Sequence, residues 1–242
     1  ATNEIRPRAT QQLIPSDSRL QKRLDSRLQT PDSQKQSDSR LPNPDSNKAT
    51  MTPTGHYIDI HGERFYCIYH YDHMQPFFIS LASDTDLWMY ISSTGGLTCG
   101  RRNPEQVLFP YYTDDKITEN YEQTGPKTIL RVQTAQGTKL WEPFSSRQMG
   151  TYHIIRSIAK SVTGNRLLFR EENVDLGLIF SYEWAPATHL GWVRTAHLSN
   201  ETDTPLTVEV LDGLQNVMPS GVERITQNTF STLVDGYKRT EH

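Results

Sequence analysis

After Tyr57, apolar residues recur at every second position along most of the chain, and turn-forming pairs interrupt them at short intervals. Side chains of an extended strand alternate between faces with a period of two, so this pattern commits the chain to β structure. Phe65, Cys67, Tyr69 and Tyr71 alternate with Tyr66, Ile68 and His70, a strand with both faces largely covered. Pro76 breaks that run, and residues 77–82 form the next strand. Leu87, Met89 and Ile91 alternate with Trp88 and Tyr90. Residues 127–134 and 138–144 flank Gln136-Gly137, and residues 152–162 and 166–170 flank Gly164-Asn165, two hairpin signals. Leu178, Phe180, Tyr182 and Trp184 share one face of the following strand, and residues 190–198 make another. Leu206, Val208 and Val210 alternate with Thr207 and Glu209, the clearest one-sided strand. Amphipathic helices are few. The prediction is an all-β fold, an antiparallel sandwich of two sheets spanning residues 51–242 as one domain.

Residues 1–50 differ in kind. All 23 aromatic residues (Phe, Trp and Tyr) lie after position 50, and this stretch holds no glycine. Its charge is +3, which leaves −6 on the remainder of a chain of net charge −3. Asp-Ser recurs at Asp17, Asp25, Asp32, Asp38 and Asp45, with Ser-Arg-Leu at three of them. Such a polar, degenerate repeat buries too little apolar surface to offset its ordering entropy and predicts a disordered tail. Met51 heads the part of folded character, and the natural start is read there because Ala1 is no initiator.

Several function classes are disfavoured. No apolar core of a secretory signal follows the first basic residues, and no run approaches the roughly 20 residues that cross a bilayer. The chain reads as soluble and cytoplasmic. Two cysteines do not build a disulfide fold, and Cys67 reads as a small core residue. The acidic folded part argues against nucleic acid. Gly95-Gly96 with Gly100 lacks the lysine and helix of a phosphate loop. His70-Tyr71-Asp72-His73 groups imidazoles with a carboxylate, but no third ligand at a defined offset makes it a metal site. No cofactor is expected. Asn200-Glu201-Thr202 is a sequon with no signal peptide to give it meaning. Glu171-Glu172 reads as a solvated turn after a hairpin strand. Trp184 reads as core, whereas Trp192, after Gly191 near a turn, reads as an exposed stacking platform.

The stretch 88–116 is the densest in candidate binding groups. Gly95, Gly96 and Gly100 predict a loop that leaves the sheet. Arg101, Arg102, Tyr111, Tyr112, Asp114 and Asp115 follow. Rings stack on sugar faces, and guanidinium and carboxylate groups hydrogen-bond hydroxyls, so with Trp192 these are the candidate carbohydrate-binding residues. The competing reading is internal pairing of Arg101 or Arg102 with Asp114 or Asp115. Adjacent aspartates on extended backbone point opposite ways and cannot serve as the two carboxyls of a glycosidase.

Three motifs, WMYISSTGGLTCGRRNPEQVLFPYYTDDKI, DLGLIFSYEW and VEVLDGLQNVMPSG, occur in this order. They resemble the N-terminal region of large bacterial proteins related to cellobiose phosphorylase, in glycoside hydrolase family 94. The resemblance runs from about Gly55 to the end. It implies an antiparallel supersandwich of the galactose-mutarotase kind. It also implies a following (α/α) barrel that carries the catalytic acid and that this chain does not reach. In that family the sandwich supports the barrel, contributes to a homodimer interface and lends loops to the sugar site. The chain is therefore expected to be a non-catalytic module with carbohydrate and a barrel as partners. The alternatives are a free-standing carbohydrate-binding module and a small carbohydrate-active enzyme.

Overall fold

Three antiparallel sheets share one core in the computed structural model of the chain, which describes residues 2–5, 52–110, 114–188, 191–219 and 221–238. The strands are β1 (Thr2–Ile5), β2 (Thr54–Ile60), β3 (Glu63–Tyr69), β4 (Phe78–Leu81), β5 (Leu87–Ser92), β6 (Leu97–Arg101) and β7 (Gln106–Val107). They continue as β8 (Gly125–Thr134), β9 (Gly137–Trp141), β10 (Ile154–Ser161), β11 (Leu167–Asn173), β12 (Leu178–Pro186), β13 (Trp192–Asn200) and β14 (Leu206–Gln215). Three short helices are α1 (Asp114–Glu119), α2 (Arg224–Thr229) and α3 (Ser231–Lys238). The large sheet has the order β13-β12-β11-β10-β3-β2, the second β1-β14-β8-β9 and the third β4-β5-β6-β7. The fold is an all-β sandwich, as the alternation predicts. Its sheets number three rather than two because β3 stops at Tyr69. His70 takes a left-handed backbone (φ 55°), and a 3₁₀ turn over Tyr71–His73 carries the chain out of the large sheet.

The core follows the alternation closely. Leu167, Phe169, Leu178, Phe180, Tyr182 and Trp184 of the large sheet meet Leu130, Val132, Trp141 and Val208 of the second. Met89, Ile91, Leu97 and Cys99 of the third sheet join the same buried cluster. Each such side chain contributes about 1.5–3 kcal/mol on burial. Phe169 and Tyr182, directly opposed across β11 and β12, stack at 4.9 Å. Both predicted hairpins form, β8–β9 and β10–β11. β3 is covered on both faces as expected, with Phe65, Cys67 and Tyr69 buried on one and Ile68 packed against the main core on the other, except at Tyr66, which is exposed.

Two expectations change. The glycine-rich stretch is no projecting loop. Gly95-Gly96 turns β5 into β6, and Gly100 lies inside β6. A Cβ at Gly100 would strike the Gln106 carbonyl and the Trp88 ring, and one at Gly96 would strike the Ile117 carbonyl. These glycines serve close packing rather than a loop. The tail reading is corrected at Thr2–Ile5, which pair with β14 as an edge strand. Strand addition uses main-chain groups and does not require the aromatic residues the tail lacks. The rest of the predicted tail, residues 6–50, lies outside the described residues.

Candidate functional site

A cleft opens where the β5–β6 turn, the segment after α1, the start of β8 and the segment 143–145 converge over Tyr182. Thr94, Gly95, Tyr121, Glu122, Lys127 and Phe144 are among its lining. Its interior is about 20 Å³, room for one water or a group of similar size.

Charge is concentrated on one wall. Lys127 Nζ donates to Glu122 Oε2 (2.9 Å) and Glu142 Oε2 (2.8 Å), and all three side chains are largely shielded. Glu122 Oε1 accepts from Ser145 Oγ and the Ser146 N–H, both at 2.9 Å. Burial opposes ionisation of Glu122, but hydrogen bonds from Lys127, Ser146 and Ser145 outweigh it and hold its pKa at about 2. The same carboxylates raise Lys127 against the opposing effect of burial.

Beneath this wall lies Glu171, only 1 % exposed. Its Oε1 accepts from Trp141 Nε1 (2.8 Å), and its Oε2 from the Phe144 N–H and Arg156 Nε, both at 2.7 Å. Phe144 has φ 64°, which costs a non-glycine residue of order 1–3 kcal/mol. The bond to Glu171 and the ring's edge contacts with Phe169 (6.0 Å) and Tyr182 (5.3 Å) hold it there. On the far side, the Arg194 guanidinium lies 4.8 Å above the Tyr182 ring and grips Asp212 with bonds of 2.8 and 2.9 Å. Thr128 Oγ1 also donates to Asp212, at 2.6 Å. Burial lifts the Tyr182 and Tyr71 hydroxyls well above the usual tyrosine range. The cleft is thus a rigid wall of paired charges beside aromatic rings. It can offer hydroxyl, carboxylate and ammonium groups to a small polar group.

Arg101, Arg102 and Trp192 of the predicted site do not line this cleft. Arg101 and Arg102 both pair with Asp86, at 3.4 Å each, which ties the turn after β6 to the turn before β5. The internal pairing expected for these arginines therefore exists, with a different aspartate. Asp114 and Asp115 are the first two residues of α1, on helical rather than extended backbone. Tyr111 and Tyr112 lie outside the described residues. Trp192 is no exposed platform. It is half-buried at the start of β13, and its indole N–H donates to the Trp88 carbonyl at 3.3 Å.

Other readings are settled by burial. Glu171 and Glu172 do not form a solvated turn, because β11 runs on to Asn173 and turns Glu171 inward. Leu167, Phe169, Glu171 and Asn173 share a face at period two, the one sequence signal that could have found it. Trp184 and Cys67 are core residues, as expected. Asn200 is buried and donates through Nδ2 to the Thr204 carbonyl (2.7 Å), so the sequon asparagine is occupied. His70 and His73 meet edge to face at 6.2 Å. Among the described residues no three His, Cys, Asp or Glu side chains are grouped to hold a metal, and no helix is long and apolar enough to cross a membrane.

The chain matches no protein-family model, and no curated protein matches it.

Proposed function

We propose that this chain is a cytoplasmic, non-catalytic β-sandwich module of a carbohydrate-active protein, similar to the N-terminal sandwich of cellobiose-phosphorylase-like proteins. It supports an (α/α) barrel and contributes to a homodimer interface. Where it meets sugar, it does so at the cleft between Gly95, Tyr121, Lys127 and Phe144. The observation that supports this reading is the cleft itself, an aromatic residue, a Lys–Glu pair and hydroxyls on a rigid sandwich. Its size suits a hydroxymethyl or hydroxyl group of the sugar, not a whole ring. Titration of the isotope-labelled chain with glucose and with cellobiose, followed by amide shifts, tests it. Shifts at Gly95, Tyr121 and Lys127 that disappear in Tyr121→Ala are expected. No shift at these amides with either sugar would refute the cleft assignment.

One observation favours the free-standing module instead. Phe78 and Tyr90, 46 % and 38 % exposed, stack at 5.3 Å on the open face of the third sheet. Exposed rings on a flat sheet suit the face of a sugar chain. Shifts confined to β4 and β5 in the same titration would select that reading.

A further inference from the structure

The floor of the cleft is a tyrosine hydroxyl. β12 lies between β11 and β13, so its Tyr182 is flanked from both sides. Phe169 of β11 stacks on the ring at 4.9 Å, and the Arg194 guanidinium of β13 lies 4.8 Å from the ring centre. Flanked in this way, the side chain meets the cleft through its hydroxyl end. A Cβ placed on Gly95, which also lines the cleft, would stand 3.3 Å from that hydroxyl oxygen. Tyr182 is only 2 % exposed, and among the described residues its hydroxyl has no hydrogen-bond partner. Burial keeps the hydroxyl protonated, so it can both donate and accept.

Three other hydroxyls of the lining are taken. Thr128 Oγ1 donates to Asp212 at 2.6 Å, Ser145 Oγ to Glu122 at 2.9 Å, and Thr94 Oγ1 to Ser92 Oγ and the Thr118 carbonyl. Two carboxylates, Glu122 and Glu142, share the Lys127 ammonium. The next cation, Arg147, stands 3.9 Å from Glu122 with its side chain 60 % exposed, where solvent screens it. A further anion therefore meets carboxylates that already outnumber the shielded cation. The space of about 20 Å³ also has no room for the several oxygens of a carboxylate or phosphate group. A neutral hydroxyl satisfies both limits, provided it reaches the floor. A hydroxymethyl group sets its oxygen one C–C bond, about 1.5 Å, further from a sugar ring than a ring hydroxyl does.

We propose that Tyr182 is the specificity-determining residue of the cleft. Its hydroxyl bonds the hydroxymethyl oxygen of a neutral hexose, and so selects that sugar over one bearing hydrogen, methyl or carboxylate in the same place. This inference rests on the reading that the cleft meets sugar. A ligand without the hydroxyl excludes water from the phenol but leaves it unpaired. A site built around one such hydrogen bond discriminates against that ligand.

The test titrates the isotope-labelled chain with four sugars and follows the amides of Gly95, Tyr121 and Lys127. Glucose carries the hydroxymethyl group, xylose a hydrogen, quinovose a methyl and glucuronate a carboxylate. Glucose should bind at least about tenfold more tightly than each of the other three. Tyr182→Phe keeps a ring between Phe169 and Arg194 and should erase the preference, with glucose and quinovose binding within about twofold of each other. The sugar series on the unaltered chain decides the matter even if that variant fails to fold. Cleft shifts with glucose but equal affinity for xylose, quinovose or glucuronate would overturn the role of Tyr182 and leave the cleft as a sugar site. A folded Tyr182→Phe chain that keeps the preference for glucose would do the same. No shift at these amides with any of the four sugars would overturn both this inference and the reading it rests on.

Discussion

Glu171→Gln isolates the buried polar network under the cleft. The carboxylate accepts three hydrogen bonds at 2.7–2.8 Å, one from the Arg156 guanidinium. The amide keeps the volume but replaces one acceptor oxygen by a donor. If the NH₂ takes the place of Oε2, two donors oppose it, so the better orientation turns it toward Trp141. That leaves a buried indole N–H without an acceptor, which costs about 1–3 kcal/mol. Arg156 keeps a hydrogen bond but loses its counter-charge. Breaking a buried ion pair costs about 3–5 kcal/mol, and less here because the Arg156 side chain is 21 % exposed and remains hydrogen-bonded. The sum is a loss of about 3–4 kcal/mol, a large part of the 5–15 kcal/mol that stabilises a typical domain. Urea unfolding at neutral pH followed by circular dichroism reads it directly. Adding Arg156→Met to Glu171→Gln should cost less than the sum of the two single changes, with a coupling above about 1 kcal/mol. A loss for Glu171→Gln below about 1 kcal/mol, the range of an exposed pair, would show that the network does not hold the loop at Phe144.

Three further outcomes are expected. Glu122 has its folded pKa depressed from 4.5 to about 2, so its stabilising contribution is fully present above pH 4.5 and is lost as pH falls toward 2. Unfolding midpoints measured across that window should drop by the equivalent of about 1–3 kcal/mol, and Glu122→Gln should flatten this acid limb. Arg101→Ala and Arg102→Ala should each shift stability by less than about 1 kcal/mol, because their bonds to Asp86 are long and solvent-exposed; a drop of several degrees in Tm would contradict that. Gly100→Ala should cost about 1–3 kcal/mol by forcing the Trp88 ring and the Gln106 carbonyl apart, and an unchanged Tm would show that β6 and β7 yield freely.

The local pattern alone determined that this chain is a β-sandwich, where its hairpins turn and which residues of β12 and β14 face inward. Period-two alternation and Gly-containing turn pairs are properties of neighbouring residues, so they are written in the sequence wherever a strand has one wet face. The alternation of Leu178, Phe180, Tyr182 and Trp184 carried directly into the core. The candidate site was not legible in the same way. Arg101, Arg102 and the glycines looked like a binding loop because composition is local, whereas their partners, Asp86 and the Trp88 ring, are set by pairing across strands. Glu171 looked solvated because a carboxylate is usually exposed, and only Trp141, Phe144 and Arg156, distant by 30, 27 and 15 residues, make its burial tolerable. The tertiary structure alone decided which charges are shielded, which glycines are crowded and where the cleft lies. Those properties depend on groups far apart in sequence that meet only when the sheets close.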